Sequence, residues 1–218
     1  MACDAQIAAH LATFPDQSGG HPLPAKPRKS KRKANAPRFE ARTPLYRMAG
    51  VDLTALEGIE DETALVLLSE IGTDMSRWPS VKHFCSWLGL SPCHKVSGGK
   101  VLSRRVRPGA HRVAVAVRLA AGSVHHSQSA LSAFVRRRAR LGAPKAITAT
   151  AHKLARLIDS LLKHGTASVQ QGLEEYEAQY RDRKVKGMAR QAKALGYTLV
   201  PLAAPDGQAM PAVAGSPS

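Results

Sequence analysis

The chain has 218 residues, 44% of them hydrophobic, and a formal net charge of +16 from 32 Lys and Arg against 16 Asp and Glu. That is enough for one ordinary domain with its own core plus extensions, and the basic balance favours nucleic acid over an acidic small molecule as partner. No apolar run approaches the length of a membrane span. The start Met1-Ala2-Cys3-Asp4-Ala5-Gln6 lacks the cationic and apolar plan of a secretory signal, and Cys3, Cys85 and Cys93 make no disulfide framework, so a cytoplasmic protein without membrane contact is expected.

Residues 3–14 place Ile7, Leu11 and Phe14 at helical spacing, and so short a piece reads as the end of something longer. Residues 15–44 read as a basic, Pro-rich linker. Pro15, Pro22, Pro24, Pro27 and Pro37 surround Lys26, Arg28, Lys29, Lys31, Arg32 and Lys33, a composition that predicts a disordered arm able to add phosphate contacts without reading sequence.

The compact domain is placed at 45–165, beginning near Tyr46. Asp52 is expected to cap a short helix ending at Gly58. A second helix over about 61–71 carries the stripe Ala64, Leu67, Leu68 and Ile71 and stops at Gly72. A third covers about 80–88, with Phe84, Trp87 and Leu88 inward. A long basic Gly/Ser loop over 89–109 follows, then helices at about 110–125, 127–141 and 144–164. In the last of these, Ile147, Ala151, Leu154, Ile158 and Leu161 share one face, while Lys145, His152, Arg156 and Lys163 share the other. A polar helix occupies 166–200, with Gly196 near its end, and a tail over 201–218 is expected to be disordered. There are no internal repeats and little strand signal, so the fold class is all-α, a compact multi-helix domain.

Charge is distributed unevenly. From Met75 to Ile158 there is no Asp or Glu, yet half of the 32 Lys and Arg lie there, so the whole net charge of +16 sits in that segment. Such a field attracts a polyanion. At its centre, Ser97-Gly98-Gly99-Lys100 offers a hydroxyl beside two glycines that let backbone approach a phosphate, with Lys100, Arg104, Arg105 and Arg107 to clamp its oxygens. Concentrated positive charge lowers the cost of a serine alkoxide. No carboxylate is near in sequence to act as base or metal ligand; His94 and His111 are the candidate bases. The plainer reading is a phosphate-binding loop without catalysis, because the stretch lacks the full phosphate-loop pattern.

Longer stretches carry more. Phe84-Cys85-Ser86-Trp87-Leu88-Gly89-Leu90-Ser91-Pro92, Val96-Ser97-Gly98-Gly99-Lys100, Arg104 to Gly109, Gly142-Ala143-Pro144-Lys145-Ala146-Ile147 and Ala151-His152-Lys153-Leu154-Ala155-Arg156 occur in that order. Together they closely resemble the C-terminal domain of the insertion-sequence transposases that include the Piv DNA invertases, the bridge-RNA-guided recombinases. The resemblance covers roughly 40–200. It implies a serine that attacks DNA and becomes covalently joined to it: Ser97 by position in the motif, Ser103 second, Ser91 a distant third. It further implies nucleic-acid contacts from Lys100, Arg104, Arg105 and Arg107; contacts from Gly98, Gly99, Arg112, Arg136, Arg137, Lys145 and Arg156 are expected from the glycines and the positive charge of the segment.

Members of that family also carry an N-terminal RuvC-like domain whose four acids bind Mg²⁺, joined through a linker helix. Here residues 1–14 resemble the remnant of that helix, so the chain is expected to be an N-terminally truncated transposase. On that reading it has no metal site and no cofactor of its own, Mg²⁺ entering only with the RuvC-like domain. It binds DNA, does not cut it alone, and needs the acids in trans. Expected partners are DNA, a guide RNA, and itself or a full-length transposase. The alternative is a non-catalytic nucleic-acid-binding module that interferes with full-length transposase; a basic protein of ribosomal type is a third reading.

Three further constellations admit two readings each. Leu56-Glu57-Gly58-Ile59-Glu60 resembles a helix-hairpin-helix turn, but Glu60, Asp61 and Glu62 would repel phosphate, which favours a structural role. His83, Cys85, Cys93 and His94 do not have zinc spacing, and His125-His126 suits a helix end. Arg136-Arg137-Arg138 with Arg140 exceeds one solvated face, which predicts that at least one arginine turns toward the domain; nucleic-acid contact is weighed there against an exposed charged face.

Overall fold

The computed structural model is helical apart from one small hairpin, as expected of an all-α chain, and describes residues 2–25, 37–93, 95–103, 106, 111–126 and 129–201. The expected disordered arm at 26–36 and the tail at 202–218 lie outside the described residues, as do His94, Arg104, Arg105 and Arg107. The chain divides into two compact units, 1–177 and 178–218.

The first unit opens with α1, Ala2–Leu11, and α2, Arg42–Ala49. Leu11 is buried and Ile7 packs on the core, while Ala41, Leu45 and Met48 are buried, so the compact part begins earlier than Tyr46. Part of the expected linker is also tied down: the Gln17 amide donates to the Arg47 carbonyl at 2.7 Å, and an Arg42 Nη donates to the Pro24 carbonyl at 2.7 Å. Proline content was a poor guide there, because hydrogen bonds to neighbouring backbone outweigh local disorder.

After α2 the chain turns at Asp52, which is only 4% exposed. It caps a single 3-10 turn, Leu53–Ala55, and not a helix running to Gly58. Gly58 follows at φ +84°, and a Cβ there would lie 2.7 Å from both the Ala120 carbonyl oxygen and a Val124 methyl. Glycine is required by conformation and by space together. The side of Gly58 that a side chain would occupy packs on Ala120 and Val124, which favours the structural reading of the helix-hairpin-helix-like turn.

α3, Asp61–Ile71, starts with Asp61 and Glu62 at the positive end of its dipole and buries Ala64, Leu67, Leu68 and Ile71. Gly72 ends it, donating to the Leu68 carbonyl at 2.9 Å. α4, Val81–Trp87, buries Phe84 and Cys85. Trp87 differs from expectation: it is 38% exposed, on the outward side of so short a helix, with its ring against Trp78 at 5.0 Å. α5, Arg112–Ser123, buries Val113, Ala114, Val117, Ala120 and Ala121 and packs against α3. α6, Ala130–Arg138, is capped by the Ser129 hydroxyl, which accepts the Ser132 amide at 3.1 Å and donates to a Glu57 carboxylate oxygen.

α7, Ala143–Ala194, contains one residue of non-helical geometry, Gly165 at φ +77°. Its inner face is the one expected: Ala151, Leu154, Ile158 and Leu161 are buried in the common core with Leu11, Leu67, Phe84 and Val117, and Ile147 packs against it. Each large side chain buried this way contributes about 1.5–3 kcal/mol. On the other face Lys163 departs from expectation. It is half-buried and committed within the protein: its ammonium donates to the Trp78 carbonyl at 2.9 Å and pairs with the buried Asp159 at 3.0 Å.

In the second unit the helical residues run to Ala194 and are mostly exposed. The turn that follows closes through the Tyr197 amide on the Ala192 carbonyl at 2.8 Å, with Gly196 at φ +83°.

Candidate nucleic-acid interface

The segment expected as a Gly/Ser loop contains a β-hairpin. β1, Lys95–Ser97, and β2, Lys100–Ser103, pair antiparallel across a two-residue turn. Gly98 at φ +55° and Gly99 at φ +75° both occupy the left-handed region, the geometry a tight hairpin needs and one that glycine adopts without strain. Ser97 stands directly opposite Lys100 and Val96 opposite Val101. The register then shifts, so that Ser103, not Leu102, faces Lys95. One unpaired residue at this bulge, Leu102, brings Ser103 to the face of Ser97 and Lys100, opposite the face of Val96 and Val101. Ser97, Gly98, Gly99 and Lys100 are exposed, while Ser103 and Ser91 are half-buried.

The segments flanking the hairpin are held together. Pro92 and Val106 form an isolated antiparallel bridge. The His111 ring meets the Trp87 ring edge-on at 4.1 Å. An Arg118 Nη donates to the Gly89 carbonyl at 3.3 Å. His111, one of the two candidate bases, has Nδ1 buried without a hydrogen-bond partner, so that nitrogen is not turned toward a substrate in this arrangement. His94 lies outside the described residues.

The remaining candidate cations are placed as follows. Arg112 is exposed and forms an ion pair with Glu70 at 3.1 Å, a surface contact that partly offsets its charge. Arg136, Arg137, Arg138 and Arg140 are all exposed, and Arg136 is the one that turns its guanidinium toward the domain. Their long stems allow this: an Arg136 Nη donates to the Ser132 hydroxyl and to the His125 carbonyl, and the Arg138 guanidinium lies 5.3 Å from the Phe134 ring centre. The Lys153 ammonium lies 4.7 Å from the same ring, a pair of cations on one aromatic that the sequence reading missed. Lys145 is exposed in the first turn of α7, and Arg156 is exposed further along it. Burial and the nearby Arg156 together lower the His152 pKa.

Metal binding fits poorly. Among the described residues no group of three or more His, Cys, Asp or Glu could hold an ion, so neither zinc nor Mg²⁺ has a ligand set there. Cys85 is buried, with its thiol directed to the His152 carbonyl at 3.9 Å, and burial pushes its pKa up to about 11. His83 uses Nδ1 in a 2.8 Å hydrogen bond with the Ser80 hydroxyl. Thiol labelling at pH 8 is therefore expected to modify the exposed Cys3 fully while Cys85 stays unmodified until the protein is unfolded, read by mass spectrometry of the digested chain.

Residues 50–136 match the model of the Transposase IS116/IS110/IS902 family. That stretch holds α3 to most of α6 and the whole hairpin, and the match supports an insertion-sequence transposase domain. No curated protein and no solved structure matches the chain.

Proposed function

We propose that this chain is the DNA-binding, serine-bearing domain of an insertion-sequence transposase, with Ser97 the nucleophile that joins to DNA. The observation that carries the reading is the hairpin: an exposed hydroxyl beside a two-glycine turn, opposite Lys100, inside the stretch that matches the transposase family. Among the described residues nothing lies within 4 Å of where a Cβ would stand on Gly98 or Gly99, so a phosphodiester can approach the backbone closely. Ser103 shares that face and is the second candidate; Arg104, Arg105 and Arg107 follow it in sequence.

The chemistry is transesterification. The Ser97 oxygen attacks phosphorus, the P–O bond to the departing strand breaks, and the serine proton passes to a base. No acid occurs from Met75 to Ile158, and no described acids gather as a metal site. On this reading base and metal chemistry come from acids outside this domain, such as those of a RuvC-like domain, and this domain alone binds without cutting. The same observation favours a second reading, a non-catalytic module that occupies the DNA or guide RNA of a full-length transposase.

The test mixes the purified chain with a matching complete transposase, its RNA and labelled target DNA, and traps covalent adducts in denaturant. An adduct on this chain that disappears in Ser97→Ala and persists in Ser103→Ala is expected. Survival in Ser97→Ala with loss in Ser103→Ala transfers the role to Ser103. No adduct from the wild-type chain under any condition leaves the binding module.

A further inference from the structure

The second unit carries a row of charge that the serine chemistry leaves unused. From Ala178 to Ala194 the chain has six Lys and Arg against Asp182 alone. At 100° per residue, Arg183, Lys186, Arg190 and Lys193 fall within about 80° of one another on the helix. The row is about 15 Å long at the helical rise, and all four side chains are exposed. Val185, Met188, Ala192 and Leu195 lie on the opposite side, and Lys184 stands about 140° from the centre of the row.

Such a row costs the helix stability. Arg183 and Lys186, Lys186 and Arg190, and Arg190 and Lys193 are like-charge neighbours at three- and four-residue spacing, which destabilises a helix surface. Packing does not compensate, since none of the described residues from 178 to 201 is buried. Ion pairing does not compensate either: among the described residues none of the four cations forms a salt bridge. A partner with negative charge along the length of the row offsets the repulsion.

We infer that Arg183, Lys186, Arg190 and Lys193 form a further nucleic-acid contact, a helix face that lies along the phosphate backbone of a duplex. The inference rests on the nucleic-acid-binding reading above and deepens it, assigning a site outside both the acid-free segment and the stretch that matches the transposase family. A continuous polyanion matches a row of four cations, whereas a point anion meets only one or two of them. A second copy of the same face is disfavoured, because two rows of one sign repel.

Both arginines of the row are prepared for this contact. Arg183 Nε donates to the Gln179 carbonyl at 3.0 Å, and Arg190 Nε donates to the Lys186 carbonyl at 3.4 Å. Tethering each guanidinium to its own helix reduces the side-chain freedom lost when it binds phosphate oxygens. Contacts to phosphate hold a protein on the duplex and carry no sequence information, so this face adds affinity and leaves target choice to other residues.

The experiment is lysine acylation of the full chain, read by mass spectrometry, alone and with a short duplex of DNA or of RNA. Lys186 and Lys193 are expected to be protected about fivefold while Lys184, two residues from Lys186 but off the row, keeps its reactivity. Protection by one duplex names the backbone that the face holds, and protection by both reflects the phosphates they share. The variant carrying Arg183→Gln, Lys186→Gln, Arg190→Gln and Lys193→Gln keeps good helix formers. Its slope of log K against log salt should be shallower than that of the wild type by about two. Circular dichroism checks the helix; were it lost, the wild-type footprint still decides. Equal protection of Lys184, or no protection of Lys186 and Lys193, overturns the assignment of this face and leaves the binding reading of the acid-free segment standing. A folded variant that keeps the wild-type slope does the same. Failure of the wild-type chain to bind any duplex overturns both. Protection by anionic lipid vesicles and by neither duplex would assign the helix to a lipid surface and overturn the inference.

Discussion

Raising monovalent salt from about 50 to 200 mM is expected to weaken binding of the chain to duplex DNA by about a thousandfold. The size follows from the charge distribution. All of the net +16 lies between Met75 and Ile158, and neutralising about six phosphates corresponds to a slope of about −5 in log K against log salt. The structure separates the cations that should contribute from those that should not. Arg137 and Lys145 are exposed and form no ion pair among those described, so replacing both with alanine should reduce the slope by about two. Lys163 is the control. Its ammonium already serves Asp159 and the Trp78 carbonyl, so Lys163→Ala should lower thermal stability and leave the slope unchanged. Fluorescence anisotropy across a salt series checks each point, and a wild-type slope near zero would remove the electrostatic basis of the functional reading.

The helical skeleton was legible because its signals are local. The stripe Ala151, Leu154, Ile158 and Leu161 and the stop at Gly72 each depend on residues within a few turns of one another, and each is found where the period places it. The hairpin reads as a loop in the sequence because its strands are three and four residues long, too short for alternation to show, although Gly98-Gly99 between two short runs is itself a tight-turn signal. Trp87 reads as inward because a large aromatic is usually buried; on a seven-residue helix the neighbouring Trp78 and Phe84 take the interior instead. In the arginine run Arg136 is the member that turns toward the domain, and a side chain that long reaches the His125 carbonyl without leaving the surface. Ser97 came from resemblance and not from spacing. What the structure adds is that it is exposed, in a tight turn, opposite a lysine. The pairs Lys163–Asp159 and Arg42–Asp52 illustrate the remaining gap. A capping aspartate is visible in sequence, but the cation that completes its site lies ten residues away and only the fold brings it there.

That second pair carries the largest expected effect on stability. Asp52→Ala should destabilise the fold by about 3–5 kcal/mol, the cost of leaving a buried charge without its partner. The carboxylate is almost wholly inaccessible and accepts from an Arg42 Nη at 2.5 Å, from the Thr54 amide at 2.9 Å and from the Thr54 hydroxyl at 2.7 Å. Arg42, 16% exposed, in turn donates to the Thr54 hydroxyl at 3.0 Å. Asp52→Asn keeps an oxygen for the Thr54 amide and should lose about half as much, which separates the cap from the ion pair. The pH dependence has a definite sign. Burial pushes the Asp52 pKa up, but the hydrogen bonds from Arg42 and Thr54 and the Arg42 charge outweigh it and hold the group below its ordinary value. A carboxylate depressed on folding stabilises the native state above its unfolded pKa, near 3.9, and that contribution is lost as pH falls through the folded value. Denaturant unfolding should therefore show wild-type stability falling below about pH 4, and a shallower fall for Asp52→Ala. The exposed Asp16 and Asp74, also lowered by bonds from Ser18 and Ser76, supply the acid sensitivity that remains. An Asp52→Ala protein as stable as wild type at pH 7, or one with an unchanged acid limb, would mean that α2 and the 3-10 turn are held by apolar packing alone.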